Sequence, residues 1–170
     1  METTERLRRA ADLDGYADEP VPLEGYGALL AAFSAAFGTS LLLAHRRGRL
    51  PARTPPGELL LLGVAAHKLA RLATKDRVTG VLRAPFTEVE GPGAPGEVEE
   101  RARGRGARRA LGELLTCPFC GDVWVAGALV SGSLHAPRLT RAVAQTCAVV
   151  VVADVLHLGY RWLERRARAS

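Results

Sequence analysis

Apolar positions gather into four blocks along the chain, and the charged residues are swept into the segments between them. The first block runs uncharged from Tyr26 to Ala44, close to the roughly 20 residues a helix needs to cross a bilayer. Within it Gly27, Ala31, Ala35 and Gly38 recur at helical spacing, a face on which a neighbouring helix can approach closely. The second block, Glu58–Asp76, reads "ELLLLGVAAHKLARLATKD" and changes character halfway. Its first half is lipid-like, while its second half sets His67, Arg71 and Lys75 four residues apart with Lys68 beside them. That pattern predicts a helix entering at Leu59 and snorkelling its cations to an interface, or a re-entrant or surface helix over about 58–75. The third block, Val123–Pro137, is short for a span unless its helix starts back at Pro118. The fourth, Ala142–Tyr160, is long enough and is flanked by Arg138, Arg141, Arg161, Arg165 and Arg166. Gly and Pro over Gly132–Pro137 suit a tight turn, so the last two blocks read as a helical hairpin.

Between the second and third blocks, Asp76–Glu113 is polar, with Gly and Pro breakers, then an acidic run, then an arginine run. It reads as a loop followed by a short polar helix near Glu97–Leu115, its charges forming a solvated face. The fold class expected is therefore all-α: an integral membrane bundle of four transmembrane helices, or three if the second block does not cross, with a polar cytoplasmic loop. A polar, flexible tail is expected over 1–25, the membrane domain over 26–162 and a basic tail over 163–170. Lys and Arg outside the blocks fall mostly on the side holding the long loop and the C-terminus, whichever span count is used. By the positive-inside rule that side is cytoplasmic, in a multi-pass protein of the cell membrane.

Charge sharpens this picture. The net charge of +5 is carried by arginine, lysine appearing only at Lys68 and Lys75. Such an excess fits membrane topology and contact with anionic lipid headgroups at the cytoplasmic face. Nucleic acid is not an expected partner, because no reading element or base-stacking pattern accompanies the charge. The N-terminal stretch is mixed in charge and lacks an apolar core, so no cleaved signal peptide is expected.

Three cysteines are present, Cys117, Cys120 and Cys147, and an odd number with one close pair is no secreted disulfide framework. In Cys117-Pro118-Phe119-Cys120, Pro favours the first position of a helix, which puts Cys117 near its N-cap. The amides and dipole there favour a thiolate, the form that attacks or binds metal. "CPFC" is locally similar to glutaredoxin-type sequences, but the alternating strands and helices of that fold are not predicted around it. Zinc at Cys117 and Cys120 would need two further ligands, and none has convincing spacing. A structural cap, a metal site and thiol chemistry all stay open for this pair; no cofactor is expected.

Ionisable residues at membrane depth form the other constellation. Cys147, Asp154 and His157 lie along one face of the fourth block, and the second block offers His67, Lys68 and Arg71 as partners. An ion pair of Asp154 with Arg71 or Lys68 is the structural expectation, and a proton or ion pathway through Asp154, His157 and His67 the sharper one. Trp124, Trp162, Tyr26 and Tyr160 sit near block ends, as interfacial aromatics do.

The run "HKLARLATKD", "LRAPF" from Leu82 to Phe86, and "ELLTCPFCGDVW" from Glu113 to Trp124 resemble a bacterial membrane family known as domain of unknown function 1360. The resemblance covers about Glu58–Trp162 and implies a small multi-span helical protein of the cell membrane. It brings no reaction, cofactor or catalytic residue. Asp122 departs from the small or apolar residue common in relatives. The function expected is a non-enzymatic structural or assembly component that pairs with itself or another membrane protein. The alternative is a membrane-tethered thiol-redox or metal-binding protein using Cys117 and Cys120.

Overall fold

The computed structural model of the protein describes residues 21–169; the tail expected over 1–25 lies outside the described residues as far as Pro20. Four long helices make the body: α1 (Leu23–Arg46), α2 (Pro56–Thr74), α5 (Pro118–His135) and α6 (Pro137–Ala169). Between α2 and α5 lie a short helix α3 (Gly80–Arg83), strands β1 (Thr87–Pro92) and β2 (Val98–Ala102), and α4 (Gly106–Thr116). Three of the long helices start on proline, at Pro56, Pro118 and Pro137, where its missing N–H is no loss and its φ is already helical. α1 ends where Gly48 turns left-handed at φ +61° and the Arg49 N–H reaches Ala44 O at 2.9 Å.

Contacts between helices fix their directions. Along α1 and α5, Tyr26 meets Glu113 just before α5, Phe33 meets Trp124 and Gly127, and Ser40 meets His135. These two helices run parallel. α2 and α6 are also parallel, with Glu58 near Arg141 and Lys68 on Asp154. Thr74 at the end of α2 lies over Gly121 at the start of α5, so the two pairs are antiparallel. The result is an up-down-up-down order in which α2 is central. Its Ala65 and Ala66 pack against Leu129 of α5 and Ala144 and Cys147 of α6. Small side chains at that centre let the backbones close together. At the α5–α6 joint, a Cβ on Gly132 would come within 2.5 Å of Thr140 Oγ1, so the hairpin requires glycine there.

The outer surface is the reverse of a soluble protein's. Leu30, Leu60, Val149, Val152 and Leu156 are each 60% exposed or more. Contiguous apolar exposure on this scale marks a lipid or partner surface. By length and hydropathy α1 and α6 qualify as membrane spans, and the bent pair α4–α5 makes a third. α2 does not qualify alone, since Glu58, Lys68 and Arg71 interrupt it. The fold is thus mostly helical with two candidate spans, or three.

Four expectations are corrected. The protein is not all-α: β1 and β2 pair antiparallel, Thr87 opposite Ala102, with a bulge between Val89 and Gly91. The polar helix begins at Gly106, not near Glu97, because left-handed Gly104 and Gly106 separate it from β2. The loop charges are not all on a solvated face either: Glu88, Glu90 and Arg101 are exposed, but the Arg83 and Glu100 side chains are buried. Lastly, among the described residues no other helix of this chain packs on the small residues of α1: Gly27 and Gly38 have open space, and α1 instead packs Gly25 against Ala110 of α4. The basic segment from 163 continues α6 as helix to Ala169.

Candidate functional site

Five ionisable residues picked out by their depth in the sequence come together in one cleft. His67, Lys68 and Arg71 project from the last turns of α2, and Asp154 and His157 from α6. The turn between β1 and β2 closes one end with Ala94–Glu97, and Arg161 of α6 lies at the rim, enclosing about 540 Å³. Lys68 Nζ donates to Asp154 Oδ2 at 2.7 Å. Arg71 turns the other way and binds Glu97 through Nε at 3.0 Å and Nη2 at 2.6 Å, a bidentate pair. One turn further, Lys75 Nζ meets Glu99 at 2.7 Å. The spacing 68, 71, 75 puts these cations on one side of α2, and each finds a carboxylate.

The hairpin is held against α2 by a second set of contacts that sequence reasoning did not single out. Alternation along β2 turns Val98, Glu100 and Ala102 inward and Glu99 and Arg101 outward. Glu100 thereby meets Arg83, and their side chains are only 4% and 1% exposed. Arg83 also donates from Nη1 to Thr79 Oγ1 at 2.7 Å and Ala73 O at 3.0 Å, and from Nη2 to Asp76 O at 2.9 Å. It caps carbonyls that α2 leaves free at its end while binding β2. Thr87 Oγ1 donates to Arg83 O at 3.0 Å. The only signal for this latch in the sequence is its place inside "LRAPF", where Arg83 looks like any loop arginine.

The cysteines lie elsewhere. Cys117 is the N-cap of α5, and its Sγ accepts the Cys120 N–H at 3.3 Å. Beside Cys120 an apolar hollow of about 350 Å³ opens between α1, α4 and α5, lined in part by Leu30, Phe33, Val123 and Trp124. At its edge Tyr26 donates to Glu113, which also takes Arg109 Nε at 2.8 Å. Cys147 is buried between α2 and α6, apart from the pair. Among the described residues no three His, Cys, Asp or Glu side chains are grouped to hold a metal ion. Trp162 stacks under the Arg166 guanidinium at 4.0 Å, and Tyr160 is exposed.

Comparison with known proteins places this arrangement. The family model described as protein of unknown function (DUF1360) matches residues 61–160, from α2 to α6, so the latch and all of the cleft except Arg161 fall within it. The sporulation protein YjcA of Bacillus subtilis (strain 168) is 33% identical over 110 residues, covering 62% of this chain and 93% of that protein. No solved structure matches the chain.

Proposed function

The chain belongs to the DUF1360 family, and on that premise we propose that it is a four-span protein of the bacterial cell membrane whose role is structural assembly rather than catalysis. One observation carries the reading: the alternating helix directions put the hairpin, α4 and the basic end of α6 together at one end of the bundle. In the four-span arrangement that end is cytoplasmic, as its arginines require. Helices α2 and α5, of 19 and 18 residues, rise about 28 and 27 Å, close to the hydrocarbon thickness. The cations of α2 stand in its last turns, paired and near the interface. Assembly is assigned to the outward face of α1, where Gly27, Ala31, Ala35 and Gly38 offer a second copy a close approach.

Single cysteines in a cysteine-free background, one at Gly48 and one at Gly93, test this with a membrane-impermeant maleimide. The four-span reading expects Gly48→Cys to label in intact cells and Gly93→Cys only in inverted vesicles. Labelling of both from the same side removes α2 as a span and sinks the arrangement.

A second reading has its own observation, the Cys117 sulfur at the N-cap of α5 with Cys120 one turn on. In it the Cys117 thiolate attacks a substrate disulfide, forming a mixed disulfide and releasing one thiolate. The Cys120 thiolate then displaces the other, leaving the Cys117–Cys120 disulfide and a substrate reduced by two electrons. Cys120→Ser would trap the mixed disulfide as a covalent adduct on a non-reducing gel. No adduct from cells means no exchange reaction.

A further inference from the structure

In the cleft between α2 and α6 each carboxylate already carries a hydrogen bond, while the Arg161 guanidinium carries none among the described residues. Asp154 takes Lys68, Glu97 takes both arms of Arg71, and Asp76 Oδ1 takes the Val78 N–H at 2.8 Å. Against these stand Arg161, His67 and His157, none with a hydrogen-bond or ion-pair partner among the described residues. Arg161 alone carries five N–H donors and no acceptor. A cation entering this cleft would find Asp154 and Glu97 already bound to Lys68 and Arg71 and Asp76 engaged by the Val78 N–H, with the Arg161 charge beside them. An oxyanion finds unused donors.

The apolar wall narrows the class. Below Arg161, α6 presents Leu158, Val155 and Val151, with Val155 and Leu158 about as exposed as the lipid-facing residues elsewhere on the helix. The cleft is therefore polar at its outer end and continuous with an apolar surface that leads into the bundle's span. A ligand carrying an anion at one end and hydrocarbon at the other matches both halves.

We propose that this cleft is a binding site for a phosphate ester, the headgroup of one anionic phospholipid, held by Arg161 with His157 and His67 beside it and with its chains along Val155 and Val151. The proposal rests on the four-span reading for the cleft's depth. A lone arginine at a membrane boundary is stable when it reaches water or a counter-charge, and a lipid phosphate supplies the counter-charge there. The paired carboxylates serve a second purpose, holding Lys68 and Arg71 in place so that the pocket exists before the lipid arrives.

Native mass spectrometry of the full chain in detergent tests it, with phosphatidylglycerol, phosphatidylcholine and inorganic phosphate added in turn. The expected result is retention of phosphatidylglycerol over phosphatidylcholine, reduced roughly tenfold by Arg161→Gln, as loss of one charge-assisted contact implies. Arg105→Gln, an exposed charge at the same end of the molecule but outside the cleft, is expected to leave retention unchanged. Inorganic phosphate that displaces the lipid from the wild type and fails to bind Arg161→Gln upholds the phosphate site and makes a soluble phosphate its occupant. Equal retention of the two lipids, or equal loss in the two variants, overturns the proposal. Circular dichroism on Arg161→Gln separates lost binding from lost folding. Membrane fractionation separates the two readings: a protein that stays in the membrane but shows no lipid preference loses only this site.

Discussion

Two ion pairs at the same end of the bundle use the same chemistry in opposite settings. Arg83 and Glu100 are sealed, at 1% and 4% exposure, with the guanidinium also spent on Ala73 O, Asp76 O and Thr79. Lys68 and Asp154 are open, at 24% and 49%, with a cleft beside them and around it donors that have no partner among the described residues. A closed pair with every guanidinium nitrogen bonded fixes a structure, here the seating of the hairpin on α2. An open pair with donors left over shapes a place for something else. Charge alone does not tell them apart; the count of unused donors does.

The sharpest way to break this contrast is to remove one partner of the sealed pair. Glu100→Ala leaves Arg83 buried without its counter-charge, and such a loss costs about 3–5 kcal/mol. Unfolding in detergent micelles followed by circular dichroism should show it, together with protease cleavage in the hairpin, which is released from α2. The double variant Arg83→Met with Glu100→Leu should recover part of that loss, because no charge is then stranded. Recovery stays incomplete, since Ala73 O and Asp76 O lose their donor as well. If Glu100→Ala unfolds like the wild type, the latch is not what holds the hairpin.

How much of this was legible depends on which residues carry an element. The four long helices follow from their apolar blocks, and α5 starts at Pro118 as the proline at N1 allows. The Lys68–Asp154 pair was legible too, because ionisable residues stand out in an apolar context and need a partner there. The hairpin was not, since the inward face of β2 carries Glu100 between Val98 and Ala102 and so shows no apolar alternation. Its inward charge is intelligible only once Arg83 is known to face it from α3, 17 residues earlier in the chain. The outward turn of Gly27 and Gly38 was equally hidden, because a stripe of small residues fits a neighbour whether or not this chain supplies one.

The open pair should respond more mildly. Asp154→Asn keeps an acceptor for Lys68 and removes only the charge, so a loss of about 1 kcal/mol is expected, the scale of interhelical polar contacts in bundles of this kind. The same micelle unfolding measures it. A loss as large as that of Glu100→Ala would mean that the cleft is as structural as the latch, and the contrast between them would collapse.

The smallest effect belongs to a third pair, on the outward face of the hairpin. Arg101 Nε lies 2.6 Å from Glu88 Oε1, closer than Lys68 to Asp154, yet the two side chains are 63% and 45% exposed. In water a pair so placed gains little Coulomb energy, and ordering two long side chains offsets most of it. Arg101→Ala is therefore expected to shift stability by no more than about 0.5 kcal/mol, and by less as salt is raised through the range where the Debye length falls below about 8 Å. Distance would rank this pair above the Lys68–Asp154 pair, whereas burial and spare donors rank it last. Comparing unfolding of Arg101→Ala and Asp154→Asn at low and high salt decides between the two rankings. If Arg101→Ala costs more than Asp154→Asn at both salt concentrations, short contacts rather than enclosure organise this end of the molecule.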